Sequence, residues 1–379
     1  MNGEGISNRK AKDRRSGRLL IIPVFVPHMG CPHDCVFCNQ KSISGQMQPP
    51  SVEEVRRTVT EYAEIAKNYG SVEVAFYGGS FTGIPAEDQI RYLNAVAPFL
   101  SSGLLHGIRI STRPDCIDRP TLTRLHRYGV NTIELGVQSM ENSVLQCAGR
   151  GHSAEDTVAA SRLIREYGFT LGLQTMTGLP GATREADLTT ADRVCALHPD
   201  FVRIYPTIVI KNTALAALYS ENVYMPPSLE ETVSLCAALY RRYRAAGIPV
   251  IRMGLQSSEE IRTGGEVLAG PYHPAFGELV RSRIVLEALF RELDRFYGRM
   301  NGTACGENAA LLADSSCGEP LKDDLLFAPG SARIVLVGDS LRIWIARRNL
   351  SVYIGQKRCN YRALMDRYSF KSIDFCIGE

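Results

Sequence analysis

Cys31-Pro-His-Asp-Cys35-Val-Phe-Cys38 follows the apolar run Leu19-Leu-Ile-Ile-Pro-Val-Phe-Val26 and the turn Pro27-His-Met-Gly30. The run has the length and composition of a strand, and it delivers three thiols onto one short loop. With gaps of three and then two residues, the three sulfurs can converge on a single inorganic centre. A cubane of four irons held by three thiolates keeps one iron without a protein ligand, open to a small molecule. A structural zinc site is instead closed by a fourth protein ligand, for which His28 and His33 are the candidates. The strand-to-loop setting and the stretches downstream favour the cluster.

From residue 19 to about 253, strand-like and helix-like stretches alternate. The strands are expected at Leu19–Pro27, Val72–Tyr77, Ile108–Thr112, Thr132–Val137, Thr170–Met176, Phe201–Tyr205 and Ile248–Met253. Between them Val52, Val55, Val59, Tyr62, Ala66 and Tyr69 recur at three and four residues, one helical face, and Leu229, Val233, Cys236, Tyr240 and Tyr243 repeat the pattern. Helices also fit residues 86–101, 120–128, 153–167 and 183–197, so the unit is βα repeated about six times. Such crossovers force parallel strands, in an open sheet or a partial barrel. In both, ligands sit at the C-terminal ends of the strands.

Those ends are where the distinctive residues fall. Gly78-Gly79-Ser80 follows the second strand; two glycines there let a backbone approach a ligand, although a tight turn needs them as well. Ser111-Thr-Arg113-Pro-Asp115 closes the third, where Arg113 can grip a carboxylate in a fork-to-fork pair or simply pair with Asp115. Glu134-Leu-Gly-Val-Gln-Ser139 is a buried-strand pattern ending in polar groups. Gln174, with Thr177-Gly-Leu-Pro-Gly181, adds another polar strand end and a rigid turn.

The spacing C-x3-C-x2-C, with Phe37 before the last cysteine, resembles the radical S-adenosylmethionine (SAM) superfamily. The resemblance implies a (β/α)6 partial barrel, a [4Fe–4S] cluster on Cys31, Cys35 and Cys38, and cleavage of SAM to a 5′-deoxyadenosyl radical. It implies SAM contacts from Gly78 and Gly79 to the methionine amino group, from Ser111 and Arg113 to ribose and carboxylate, and from the region of Gln174 and the Thr177 turn to adenine. Ser80 stands where the superfamily usually has glutamate. Within the superfamily, Gly78-Gly-Ser-Phe81, Thr112-Arg-Pro-Asp115, Glu134–Ser139, Arg150-Gly-His152, Gly178-Leu-Pro180 and Val209-Ile-Lys211 are similar to the catalytic subunit of Elongator and its bacterial relatives. That branch modifies the wobble uridine of tRNA. The gap between the first two cysteines is shorter here, and about 100 residues follow the core, too few for the branch's acetyltransferase domain. Two other readings stay in view: radical SAM chemistry on a small molecule such as a tetrapyrrole, and a non-enzymatic iron–sulfur redox sensor.

The chain of 379 residues suits one large domain and one or two small ones. With 45% hydrophobic and 22% charged residues it has the balance of a soluble protein, and no stretch reaches the roughly 20 apolar residues of a bilayer span. Residues 1–18 carry Arg9, Lys10, Lys12, Arg14, Arg15 and Arg18 without an apolar segment, so they read as a disordered basic arm, not an export signal. Eleven cysteines without pairing rhythm point to a reducing compartment, hence a cytoplasmic location, with Cys116, Cys147, Cys195 and Cys236 as inert thiols. The core, with its Elongator-type extension, is expected over 19–298 and a linker over 299–331.

An α/β unit over 332–379 is expected to hold strands Ala332–Gly338 and Ser372–Ile377, a strand or helix around Leu341–Arg347, a strand-like stretch at Val352 and a helix around Asn360–Tyr368. Its Ile354-Gly355-Gln-Lys-Arg358 is similar to the Ile-Gly-x-x-Gly loop of KH domains, which clamps a single-stranded nucleic-acid backbone, with Arg358 in place of the second glycine. Arg347, Arg348, Lys357 and Arg358 can meet phosphates. The partners implied are tRNA and a reductant protein for the cluster, with no membrane.

Overall fold

The structure is a computed structural model that describes residues 18–26, 31, 35–39, 48–255, 265–302, 333–337 and 339–377. Nearly all of the basic arm, the turn before Cys31 with His28, His33 and most of the expected linker lie outside the described residues. The chain divides into two compact units: one runs to Pro227 and takes in Ile248–Tyr272, the other comprises Ser228–Gly247 and the residues from His273 onward.

The first unit alternates strands and helices as the periodicity requires. Strands β1 (Leu19–Val26), β2 (Ser71–Gly78), β3 (Gly107–Thr112), β4 (Val130–Gln138), β5 (Thr170–Thr177) and β6 (Phe201–Pro206) are followed by a two-residue β7 (Val209–Ile210), β8 (Val250–Met253) and β9 (Val267–Ala269). Helices α1 (Val52–Glu61), α2 (Ala86–Ser101), α3 (Arg119–Arg127), α4 (Ala154–Glu166) and α5 (Arg184–Ala196) cross over between the first six strands, and α6 (Ala214–Ser220) follows β7. Capping boxes at Ser51 and Ser153 and side-chain caps from Asp118 and Thr183 set where four of these crossovers begin. The seven long strands form one parallel sheet in the order β1-β2-β3-β4-β5-β6-β8, while β7 and β9 pair antiparallel. β1 is one edge of that sheet and carries Pro23 at its middle, opposite Ala75.

The sheet curls into an open half-barrel, as side-chain contacts across it require. Tyr77 on β2 and Arg203 on β6 are four strands apart, about 19 Å in a flat sheet, yet Arg203 Nη2 donates to the Tyr77 hydroxyl at 3.0 Å. That contact belongs to an ionic layer across the concave face. Glu134 Oε1 accepts from Arg109 Nη1 at 2.9 Å, Arg203 Nη2 at 3.0 Å and the Tyr77 hydroxyl at 3.0 Å, and Arg109 Nη2 reaches on to Glu73 at 2.8 Å. Gly172 on β5 makes room: a Cβ there would lie 2.3 Å from the Phe201 ring, which in turn lies under Arg109. Burying two carboxylates and two guanidiniums costs solvation that only mutual pairing offsets, and here each charge has a partner.

The second unit holds α7 (Leu229–Ala245), α8 (Phe276–Gly302), the strands β10 (Arg333–Val337), β11 (Ser340–Ile345) and β12 (Ser372–Ile377), and the helices α9 (Leu350–Ile354) and α10 (Cys359–Tyr368). β11 is central, antiparallel to β10 and parallel to β12. Val285, Leu289 and Leu293 of α8 pack with Leu341, Ile343, Ile345, Leu364 and Ile373 in its core. Two elements differ from expectation. The 27-residue α8 is additional to the helices expected from periodicity, and it continues to Gly302, into the first residues of the expected linker. The stretch around Val352 is helical, so the glycine turn Gly355–Arg358 joins two helices where a strand and a helix were expected. Among the described residues no helix is long and apolar enough to cross a membrane.

Candidate functional site

The C-terminal ends of β1 to β5 bring most of the singled-out residues to one end of the first unit. Gly78 ends β2 with φ 108°, and a Cβ there would stand 3.2 Å from the Val26 carbonyl oxygen at the end of β1. Glycine is thus required for β2 to close against the strand that leads into the cysteine loop. The Gly79 amide donates to the same Val26 carbonyl at 3.0 Å, so it is spent within the fold. Ser80 Oγ lies 3.6 Å from Cys31 Sγ, which puts the residue in the glutamate position next to the first thiol.

Cys35 and Cys38 are held by backbone and packing. The Cys38 amide donates to the Cys35 carbonyl at 3.0 Å, Val36 exchanges backbone hydrogen bonds with Ala148 and Leu215, and Phe37 packs against Val144, Ala148 and Leu179. Arg113 is 2% exposed and its fork is taken by Asp115, with Nε at 2.9 Å and Nη2 at 3.2 Å. Arg113 also donates to the Arg150 carbonyl, and its Nη1 faces Cys35 Sγ at 4.0 Å. Its role in the geometry is therefore to brace a second arginine.

That second arginine belongs to the Arg150-Gly-His152 stretch of the resemblance, to which the sequence attached no site role. Arg150 is 6% exposed; its Nη1 lies 3.2 Å from Cys35 Sγ, its Nη2 donates to the Gly136 carbonyl at 2.6 Å, and its Nε is buried without a partner. Gly136 leaves room for two side chains: a Cβ there would sit 2.9 Å from Gln138 Nε2 and 3.3 Å from Arg150 Nη2. Two residues later, His152 donates through Nε2 to the Val137 carbonyl at 3.3 Å, while Nδ1 is buried and unpartnered. Burial first, then the charges of Arg150 and Arg113, push its imidazole down to about 4. Both stand in the Arg150-Gly-His152 stretch, twelve residues past the end of β4 at Gln138, and only the fold turns their side chains inward.

Gln138 ends β4 with φ 65°, a left-handed conformation at a buried residue, and its Oε1 accepts from Gln174 Nε2 at 3.5 Å. Ser111 is half-buried at the end of β3, opposite Glu134. Cys116 follows Arg113 by three residues, and burial followed by the Asp115 charge pushes its thiol up to about 11. Among the described residues no three His, Cys, Asp or Glu side chains are placed to share one metal ion. A cubane asks for something else, three thiolates each binding a different iron. The three thiols on the loop and two guanidiniums beside Cys35 fit an anionic, thiolate-bound cluster.

Residues 25–194 match the Radical SAM superfamily and residues 199–285 its C-terminal domain. The chain is similar to the tRNA uridine(34) acetyltransferase of Methanocaldococcus infernus, 26% identical over 60% of this chain and 50% of that one. It is similar to an uncharacterized protein of Methanocaldococcus jannaschii, 30% identical over 59% of this chain and 72% of that one. It thus spans about half the length of the acetyltransferase it matches. Among solved structures, archaeal Elp3 of Methanocaldococcus infernus superposes with a TM-score of 0.56 at 22% identity, over 70% of this chain and 62% of that one, a likeness of fold.

Proposed function

The chain belongs to the radical SAM superfamily, enzymes that use a [4Fe–4S] cluster and SAM, and on that premise we propose that Cys31, Cys35 and Cys38 hold the cluster. Gly78, Gly79, Ser111, Arg113 and Gln174 help to position SAM, joined by Gln138 and Arg150, with the Thr177–Pro180 turn at the adenine. When bound, the cluster supplies an electron and SAM a sulfonium whose cleavage yields a hydrogen-abstracting 5′-deoxyadenosyl radical. The protein's part is placement. Gly78 lets β2 close against Val26 at the head of the cysteine loop, Arg150 sets a positive charge beside Cys35, and Arg113 holds Arg150 through its carbonyl. The observation that carries the reading is the Cys35–Arg150 contact at the ends of parallel strands.

The substrate we infer is tRNA, modified at the wobble uridine, in the cytoplasm, with a reductant protein supplying electrons. The named similarity to a tRNA uridine(34) acetyltransferase supports this, as does the second unit. There the order helix, strand, strand, helix, helix, strand places the Gly355–Arg358 turn between α9 and α10. Gly355, Lys357 and Arg358 all take positive φ, Arg362 donates to the Lys357 carbonyl, and Arg358 stacks on Tyr361 at 4.4 Å. A glycine turn between two helices, holding Lys357 and Arg358, with Arg362 bonded to it and Arg347 and Arg348 one short helix earlier in the sequence, suits a nucleic-acid backbone. The test is anaerobic reconstitution with iron and sulfide, reduction with SAM, and assay of 5′-deoxyadenosine with and without bulk tRNA. Formation that rises with tRNA is expected. An equal rate without RNA would move the substrate to a small molecule, and a reducible cluster that never cleaves SAM would remove the enzyme reading.

A further inference from the structure

Gly178 follows β5 with φ 70°, at the head of the Thr177–Pro180 turn. Its N–H donates to Asp187 Oδ2 at 3.1 Å, and its carbonyl accepts from the Tyr224 hydroxyl at 2.7 Å. The N–H belongs to the peptide plane before the Cα and the carbonyl to the plane after it, so the two bonds together fix both torsions of the most permissive residue in the chain. A Cβ at this position would come within 2.9 Å of the Pro227 ring, which leaves no room for a stiffer residue to do the same.

Both clamping groups are costly to keep. Asp187 is 5% exposed and burial pushes its carboxyl up to about 7; Tyr224 is buried among Val209 and Leu215, and burial also pushes its phenol up. They come from separate parts of the first unit, Asp187 from the first turn of α5 and Tyr224 from the segment after α6, and both point at one glycine. The next residue, Leu179, packs with Phe37, which stands between Cys35 and Cys38. The orientation of the Gly178 peptides is therefore passed through Leu179 to the cysteine loop.

We propose that Asp187 and Tyr224 are positioning residues that lock the Gly178 peptides and thereby set the separation between the adenine-binding edge of the turn and the cysteine loop. The inference rests on the reading of the turn given above. If it holds, the pair governs ligands that span both places and leaves untouched those that reach only one.

The experiment uses the full chain, anaerobically reconstituted, as wild type, Tyr224→Phe, Asp187→Asn and Asp187→Leu. Iron content and melting temperature accompany equilibrium dialysis with S-adenosylhomocysteine, which carries adenine, and with L-methionine, which does not. In Tyr224→Phe and Asp187→Leu the affinity for S-adenosylhomocysteine is expected to fall roughly tenfold, the effect of one buried group left without its partner, with methionine binding and iron content unchanged. Asp187→Asn keeps an acceptor for the Gly178 N–H and is expected to retain most of the affinity. Equal weakening of both ligands, or of neither, in folded Tyr224→Phe overturns the proposal; since that variant removes one oxygen from a residue kept in place, it decides the matter even if Asp187→Leu does not fold. A wild type that binds neither ligand overturns the SAM reading itself, and with it this inference.

Discussion

Arg150 Nη1 lies 3.2 Å from Cys35 Sγ while Nη2 of the same guanidinium donates to the Gly136 carbonyl at 2.6 Å. A planar fork serves both partners at once, which the single ammonium of lysine cannot do. Hydrogen bonds to ligand sulfurs raise the potential of an iron–sulfur centre by stabilising its reduced form. Arg150→Ala is expected to lower the midpoint potential in an EPR-monitored titration and to slow 5′-deoxyadenosine formation by about 10–100-fold, with Arg150→Lys recovering only part. An unchanged potential would mean that the contact is not kept around the cluster.

Glu134 is the shared anion of the ionic layer, accepting from Arg109, Arg203 and Tyr77. Glu134→Gln leaves two guanidiniums buried with one remaining carboxylate, Glu73. Urea denaturation is expected to show a loss of about 3–5 kcal/mol, the usual cost of breaking a buried pair from one side. A loss below about 1 kcal/mol would show that solvent reaches the layer.

Gly78→Ala meets backbone atoms of Val26, not a movable side chain, and forces alanine to a φ of 108°. A cost of about 1–3 kcal/mol in the same assay is expected. Because Val26 leads into the cysteine loop, iron bound after reconstitution should fall as well. Full iron content with full stability would release Gly78 from both roles.

His152 carries a pH dependence whose sign follows from its imidazole being pushed from 6.5 down to about 4 in the folded protein. The unfolded chain takes up the proton first as pH falls, so this contribution is complete above about 6.5 and is lost progressively toward 4. The loss amounts to at most about 3 kcal/mol. Asp187, pushed up to about 7, works in the opposite sense between its unfolded and folded values, where stability falls as pH rises. The comparison is therefore between wild type and His152→Gln at each pH: their urea midpoints should diverge less at pH 5 than at pH 7.5, and a constant difference would refute the assignment.

Lys357→Ala and Arg358→Ala address the turn of the second unit. Each is expected to weaken tRNA binding uniformly across sequences and to reduce the slope of log affinity against log salt by about 1. Unaltered slopes would place the RNA elsewhere.

Much of the first unit was legible because a strand buried on both faces and a helix buried on one leave different periods in the sequence. Ile108–Thr112 and Phe201–Tyr205 were found within a residue of their ends. The 27-residue α8 carries an equally readable pattern in Val285, Leu289 and Leu293, and what hid it was the adjoining Gly- and Asn-containing segment that reads as linker. Val352 and Ile354 look strand-like because β-branched residues favour strands; burial of Val352 and Tyr353 in a helical turn overrode that preference. In the site, the thiols could be read from spacing, whereas Arg150 entered only with its stretch in the resemblance and without a role. Its function lies in a 115-residue separation from Cys35 that only the closed fold spans.

Pro23 stands opposite Ala75 in a strand that pairs on one side only. A nitrogen without hydrogen interrupts the row of donors that an incoming strand would need, so the open seam of the half-barrel discourages extension by a neighbouring chain. One proline at mid-strand thereby stands against adventitious sheet growth along that edge.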